Sequence, residues 1–399
     1  MIDLSPSEEQ LAIQNLARSF AREVIRPAET ELDRMHDPVD VFRSDIFRQT
    51  IRMAYELGFH RMGIKEEFGG LGLDPLTTAL VWEELAVGGA GIAATLLAAP
   101  VVPLFLSIIA SSNTELIDKY VTPYCEDTRA DNISAWGSSE PNIGSDGSNY
   151  YDPSVCHGTR ARREGDDWII NGAKSNFVSN GGIANIYLLF ACVEPSLGIR
   201  GSGVFLVPER EGVSRGKPLD KLGLRALNQA DVFFDDVRLP GEYLIFPCGD
   251  DYPMMHNAIK TVGNIGVGYL AVGIMRAAYE EALAYSRERV QFGKPIFEHQ
   301  AVAFKLFETF QAIEAARGFL WKASWMLANT YLGDLKFSAG ARVFATNLAM
   351  KHTVEMIQVL GGYGISKEFA LEKYMRDAKL LQIMDATNEI MTIKGAALL

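Results

Sequence analysis

The middle of the chain does not read like its two ends, and that change of period constrains the fold more than any single motif. The first 125 or so residues carry helix signals. Ser5, Pro6 and Glu8 supply an N-cap, a proline for the first helical position and a capping acid, and Leu11, Ile13, Leu16, Ala17 and Phe20 follow at helical spacing. From about residue 130 to 240 the apolar runs become short, β-branched and aromatic: "DWIING", "IYLLFACV", "GVFLVP" and "ADVFFDDV", separated by Gly, Asn, Asp and Pro turns. Beyond "MMHNAIKTV" the helical period returns, in runs such as "AAYEEALAYSRERV" and "AVAFKLFETFQAIEAARGFLWKASWML" that lack internal proline. The expected class is α+β: an N-terminal α-helical domain over 1–128, a compact β domain over 129–243 and a helical bundle over 244–399.

Composition removes several functions. The net charge of −12 with no offsetting basic stripe argues against a nucleic-acid partner. Cys125, Cys156, Cys192 and Cys248 are far apart without a CxxC pair, so free thiols in a reducing cytoplasm are expected. The start "MIDLSPSEEQ" is polar and acidic, unlike a signal peptide. Residues 85–112 contain no charge, but Gly88, Gly89, Gly91, Pro100 and Pro103 interrupt them; a buried helix–loop–helix is expected, and no membrane span. No HExxH, Walker A or G-x-S-x-G element is present, and His60, His256 and His352 look isolated and structural, so no metal site is expected.

Six segments invite chemistry. "GVGYLA" (266–271) matches G-x-G-x-x-A, but only helix-like sequence surrounds it, so its glycines are read as a close helix contact and not as a dinucleotide turn. "WGSSEPNIGSDGS" (136–148) offers small and hydrogen-bonding residues to a polar ligand, or is simply a hydrophilic turn. "KSNFVSNG" (174–181) sets an aromatic beside Ser179 and Asn180. In "RERVQFGKPIFEHQ" (287–300), Arg289 either grips a pyrophosphate or caps the preceding helix. "QVLGGYGISKEFALEKYMRDAK" (358–379) breaks a helix at Gly361, Gly362 and Gly364, as a C-cap or to let backbone approach a phosphate. Asp385, within "LLQIMDATNEIM", reads either as an N-cap for a helix over 386–390 or as a base.

Together these segments resemble the flavin-dependent acyl-CoA dehydrogenases over nearly the whole chain. "SSEPNIGSD" is similar to one family signature. Gln358, Gly361, Gly362, Gly364, Glu368, Lys373 and Asp377 match a second, and "FFDDVRLP" is similar to a further segment. The resemblance implies a central β-barrel between an N-terminal α domain and a C-terminal four-helix bundle. It also implies FAD held non-covalently at a subunit interface of a homotetramer, an acyl-CoA substrate and an electron-transferring flavoprotein as acceptor. Trp136, Ser138, Ser139, Phe177 and Ser179 would line the flavin. Arg289, Phe292, Gln358, Gly361 and Gly362 would hold the dinucleotide part from a neighbouring subunit, and Thr387 and Glu389 would close the site. Ser145 falls where the family contacts the pantetheine arm.

The implied reaction removes a proton from Cα and a hydride from Cβ of a thioester, with the thioester oxygen hydrogen-bonded as charge develops. Where the family places Glu in "YEGT", this chain has "MDAT", which makes Asp385 the expected base with a carboxylate set back by about 1.5 Å. That suggests a branched or alicyclic acyl group. Some members keep the base at a position occupied here by Gly263, and Asn264 stands where many carry a CoA-binding Arg. "KSNFVSNG" is one residue longer than usual, and the segment after the first signature is expanded. The uncharged stretch "GIAATLLAAPVVPLFL" (91–106) falls where the family forms its acyl pocket and favours a neutral acyl group over a dicarboxylic one, although packing alone explains it equally well. Two other readings stay open: a variant acting on a cyclic CoA ester with its carboxylate elsewhere, and a flavin-binding scaffold without turnover.

Overall fold

The structure is a computed structural model that describes residues 5–399, apart from the side chain of Asn176. Its first nine helices are α1 (Glu8–Phe20), α2 (Arg26–Arg34), α3 (Pro38–Arg43), α4 (Asp45–Glu56), α5 (Pro75–Gly88), α6 (Ala90–Ala98), α7 (Val101–Ile109), α8 (Thr114–Leu116) and α9 (Thr122–Glu126). The first begins later than the sequence suggests. Ser7, not Ser5, is its N-cap: its hydroxyl accepts from Gln10 N at 3.1 Å while the Gln10 side chain accepts from Ser7 N at 3.0 Å. The reciprocal pair satisfies two otherwise orphaned donors.

All four short runs expected as strands are strands: β3 (Asp167–Ser179), β4 (Ile186–Cys192), β5 (Ser202–Pro208) and β7 (Gln229–Pro240). With β1 (Ser134–Gly137), β2 (Arg160–Glu164), β6 (Val213–Arg215) and β8 (Leu244–Phe246) they make one mixed sheet of eight strands. The hydrogen-bonded path runs β6-β7-β3-β2-β4-β5-β8, and β1 adds to β4 in parallel, setting Trp136 opposite Leu188. The sheet expected as a barrel thus has its path ends at β6 and β8. The lengthened "KSNFVSNG" is absorbed as an irregularity in β3, where pairing with β7 jumps from Lys174↔Val232 to Val178↔Ala230.

The C-terminal bundle is α10 (Tyr252–Glu288), α11 (Gln300–Asn329), α12 (Leu335–Leu360) and α13 (Leu371–Leu381), with α14 (Asn388–Ala396) packed on α12. The "GVGYLA" glycines lie inside α10 and serve close approach: a Cβ on Gly268 would fall 2.3 Å from Leu320 of α11. Buried charges tie α5 to the bundle, with Glu83 bonded to Arg276 at 2.6 Å and to Arg317 at 2.7 Å. Two stretches, Ala90–Ile109 and Tyr252–Glu288, are long and apolar enough to cross a membrane, but 61% and 78% of their apolar windows are buried inside the fold, as interior helices are. His60 is structural as read, stacked on Tyr55 at 4.0 Å and pushed down to about 4, chiefly by burial.

The Glu of "SSEP" anchors the sheet. Glu140 pairs with the fully buried Lys174 at 2.6 Å and accepts from Thr159 N at 3.0 Å. Burial alone would raise its carboxyl, but the ammonium and the Thr159 donors outweigh burial and hold it below the usual range. Burial pulls Lys174 the other way, down to about 8 despite Glu140, and the pair is charged at neutral pH. A carboxyl lowered on folding stabilises above its ordinary value of 4.5, and that contribution is lost as pH falls through the folded value. Glu140→Gln should therefore cost about 3–5 kcal/mol at pH 7, and urea titrations between pH 7 and 3 should show the gap from the parent closing as pH falls.

Candidate active site

The turn joining α13 to α14 holds Asp385 in a conformation that its residue types do not favour. Asp385 and Ala386 have φ of 58° and 105°, where a Cβ is crowded and a non-glycine residue persists only under outside constraint. The constraint is Arg342. This side chain of α12 is fully buried, and its guanidinium donates to the carbonyls of Met384, Asp385 and Ala386, and to Asn264 Oδ1 at 3.0 Å. Burial draws its pKa down and Asp385 opposes the shift; a guanidinium remains charged regardless.

The carboxylate itself rests against α10. Lys260 donates to the Asp385 carbonyl at 2.8 Å and to its Oδ1 at 3.0 Å. Nearly one turn on, a Cβ at Gly263 would lie 2.3 Å from Asp385 Oδ2, so the missing side chain makes the notch that the carboxylate fills. Lys260, Gly263 and Asn264 share one helix face. The cap reading of Asp385 is corrected: α14 starts at Asn388, and its N-cap is Thr387, whose hydroxyl accepts from Ile390 N at 3.4 Å. The Asp385 N–H meets no backbone acceptor among the described residues.

An aromatic wall stands beside this pair. The Lys260 ammonium lies 4.8 Å from the Trp136 ring, which stacks on Phe190 at 5.7 Å and meets His256 edge-on at 6.2 Å. The buried Trp136 Nε1 has no hydrogen-bond partner. His256 is therefore no isolated histidine: its Nδ1 lies 2.8 Å from the Tyr150 hydroxyl, which donates to Asn257 Oδ1 and accepts from Lys394 Nζ at 2.7 Å each. Burial, then Lys260 and Lys394, hold His256 well below the usual range, and burial with Lys260 pushes Lys394 down to about 8.

The other expected site residues fall into two groups. Arg289, Phe292, Gly361 and Gly362 line one cavity of about 770 Å³. The "RERVQFGKP" segment is a hairpin of β9 (Val290–Gln291) and β10 (Lys294–Pro295), with Phe292 and Gly293 at positive φ in its turn and Phe292 97% exposed. Gly361 has φ of 59°, and no atom lies within 4 Å of where a Cβ on it or on Gly362 would sit. Gln358 is exposed on the last turn of α12, and its carbonyl accepts from Gly361 N. On the sheet side, Ser138 and Ser139 are half-buried and bonded through their carbonyls, to Lys174 at 3.2 Å and Ser175 at 3.1 Å. Phe177 is exposed, Ser179 Oγ accepts from Gln229 at 3.4 Å, Ser145 sits exposed on a short turn, and Glu389 is exposed in the first turn of α14. Among the described residues no hydrogen bond or ring contact joins the Arg289 cavity to the Asp385 cluster. No local pattern points to Lys260, Arg342 or Lys394, His256 reads as isolated in the sequence, and only the oddity of Gly263 hints at the notch.

Comparison with known proteins identifies the family. Family models described as the N-terminal, middle and C-terminal domains of acyl-CoA dehydrogenase match residues 7–128, 135–237 and 258–398. The chain belongs to the acyl-CoA dehydrogenase family. It is 32% identical to a short-chain specific acyl-CoA dehydrogenase of Clostridium acetobutylicum, covering 98% of this chain and 97% of the relative. It is 33% identical to cyclohex-1-ene-1-carbonyl-CoA dehydrogenase of Syntrophus aciditrophicus, covering 96% and 88%. The structure of butyryl-CoA dehydrogenase from Megasphaera elsdenii superposes with a TM-score of 0.87 at 31% identity, covering 100% and 99%.

Members are FAD-dependent oxidoreductases, as this chain is. The residues present fit FAD: open backbone at Gly361 and Gly362, an Arg289 guanidinium without a carboxylate partner among the described residues, and the orphaned Trp136 Nε1. Arg342→Met removes the donor to three carbonyls; a stability loss of about 3 kcal/mol is expected by urea titration, with hydrogen exchange faster over 382–387 than elsewhere.

Proposed function

We propose that Asp385 is the base of an FAD-dependent α,β-dehydrogenation of an acyl-CoA thioester. What carries the reading is a carboxylate seated in the Gly263 notch and bonded to Lys260, whose ammonium lies over the ring of Trp136 of the first signature. Bound FAD supplies the hydride acceptor for Cβ. Asp385 takes the Cα proton, and the electron pair of that C–H bond becomes the new C=C bond of the enoyl thioester as the hydride leaves Cβ. The free Asp385 N–H is available to the thioester oxygen, where charge develops. Arg342 keeps both the N–H and the carboxylate of this turn fixed, so little reorganisation is needed. Trp136, Ser138, Ser139, Phe177 and Ser179 form the flavin side, Thr387 and Glu389 close it, and Ser145 meets the pantetheine arm.

Arg289, Phe292, Gln358, Gly361 and Gly362 would then hold the dinucleotide part of a neighbour's FAD. A homotetramer is supported by the fully projecting Phe292 and by Phe304, Phe307 and Phe310, which are 62%, 60% and 43% exposed on α11. The acceptor proposed is an electron-transferring flavoprotein, because the one G-x-G-x-x-A run is helical and offers no nicotinamide site. The four free cysteines suit a reducing cytoplasm.

Purified protein should be yellow, with roughly one FAD per chain, in an oligomer measurable by light scattering. Arg289→Ala should release FAD more readily, by about 1.5–3 kcal/mol for a charge-assisted contact; a chain that takes up no FAD contradicts the reading. Asp385→Asn should keep FAD while anaerobic flavin reduction by the best ester slows about 10²–10⁴-fold, and reduced parent enzyme should be reoxidised by the flavoprotein and not by NAD. Reduction of Asp385→Asn at the parent rate would place the base elsewhere. That outcome would favour the cyclic-ester reading, which the Syntrophus aciditrophicus relative supports.

A further inference from the structure

Two of the free thiols share one guanidinium. Arg160 opens β2, and its Cα lies opposite that of Cys192, the last residue of β4. One terminal nitrogen of Arg160 donates to Cys192 Sγ at 2.8 Å, and the other donates to Cys156 Sγ at 3.4 Å. Arg160 forms no ion pair with a carboxylate among the described residues, so the two sulfurs are what its charge meets. The Cys156 thiol is itself a hydrogen-bond partner of Cys192. Among the described residues, neither Cys125 nor Cys248 shares a guanidinium with a second thiol.

The two sulfurs differ in their surroundings. Cys192 is buried in the sheet, its N–H bonded to Thr159 O at 2.8 Å, and burial pushes its thiol up to about 11 against the pull of Arg160. Cys156 is half-buried and stands on irregular chain between the short turn over Ser145–Ser148 and β2. That stretch is held by turn bonds, such as Val155 N to Asp152 O at 3.2 Å, and by no ladder. Bringing the sulfurs to bonding distance therefore asks for movement on the irregular side alone. A thiol beside a guanidinium and open to solvent is the one an oxidant meets first. Cys192 also follows Phe190 by two residues on β4, and the Phe190 ring stacks on Trp136 at 5.7 Å. The pair thus lies close to the proposed flavin wall, and reduced flavin that meets oxygen yields hydrogen peroxide.

We propose that Cys156 and Cys192 form a reversible disulfide driven by hydrogen peroxide, which spares Cys156 from irreversible oxidation. The Cys156 thiolate attacks the peroxide; the O–O bond breaks, the sulfur is oxidised to a sulfenic acid and hydroxide leaves. The Cys192 sulfur then attacks that of Cys156. An S–S bond forms, the S–O bond breaks, and the departing hydroxide takes the Cys192 proton and leaves as water. Two thiols have then given two electrons to one peroxide. Arg160 keeps the sulfurs side by side and favours the attacking thiolate. A small thiol reopens the bond by exchange. Without Cys192, the sulfenic acid meets further peroxide and passes to sulfinic acid, which small thiols do not reduce.

The test treats the FAD-loaded enzyme with excess hydrogen peroxide, then counts thiols and maps peptides without reductant. In the parent, two of the four thiols should be lost, the residue 156 peptide should be joined to the residue 192 peptide, and dithiothreitol should restore the full count. In Cys192→Ser, Cys156 should advance to sulfinic acid and dithiothreitol should not recover it. In Cys156→Ser, the same peroxide should leave Cys192 a thiol. Thermal melts and FAD content show whether each variant folds, and Cys192→Ala replaces Cys192→Ser if the serine does not. The parent result needs no variant: a peroxide excess that leaves all four thiols intact overturns the proposal. So does a cross-link between other cysteines, or Cys156 reaching sulfinic acid in the parent without pairing. None of these outcomes bears on acyl-CoA dehydrogenation, which is measured separately by flavin reduction.

Discussion

One buried carboxylate, Glu29, joins parts of the chain that would otherwise be separate folding units. It accepts from Gly91 N at 2.9 Å and Ile92 N at 3.0 Å, at the N-terminus of α6, and from Lys373 Nζ of α13 at 3.1 Å. Lys373 in turn pairs with Asp377 at 2.6 Å, and Asp377 accepts from Leu224 N of the sheet domain, also at 2.6 Å. Every member is buried. Removing one partner from such a chain strands a charge in low dielectric, which typically costs about 3–5 kcal/mol. The network therefore sets where α13 lies against both other domains, and α13 ends at the turn that presents Asp385. The position of the proposed base is thus inherited from a contact made through the N-terminal domain.

The two signatures that identify the family divide their labour. In the first, Glu140 is consumed by Lys174 and backbone donors inside the sheet, while Trp136 keeps a ring face and an unpartnered N–H toward the site. In the second, Lys373 and Asp377 are interior bolts, whereas Gly361 and Gly362 face open space. Charged residues in these motifs are spent inside the fold, and the small and aromatic ones are those left for the proposed flavin site. Around Asp385 the rule reverses. There a charged side chain, Lys260, is bonded to the proposed base, and a glycine, Gly263, provides the structural part.

The α–β–α order was legible because a change of period survives averaging over many residues: "DWIING", "IYLLFACV", "GVFLVP" and "ADVFFDDV" all became strands. Helix ends were harder. Ser5 and Ser7 are both good caps, and only the Gln10 side chain decides between them; Asp385 and Thr387 posed the same choice, settled by the Ile390 N–H. The hairpin at Phe292 was hidden because a bulky residue at positive φ is uncommon in such a turn. The catalytic surroundings were least legible. Arg342 and Lys260 meet Asp385 from 43 and 125 residues away, and Lys394 meets Tyr150 across 244. No local pattern encodes such meetings, and each of these side chains alone looks like a solvated surface charge.

α10 places one consequence on the whole assembly. It is a single helix of 37 residues, about 55 Å of rigid rod at 1.5 Å per residue. Lys260 and Gly263 sit toward its start, and Arg289 closes its end. Lys260 and Arg289 are about eight turns apart, so their Cα atoms project to nearly the same side. Substitutions along the rod leave that phase untouched. Inserting or deleting one residue between them would rotate one end by about 100° against the other, turning the Asp385 notch and Arg289 out of step at once. The helix acts as a ruler and a clock hand together, so its length should drift far less readily than its composition.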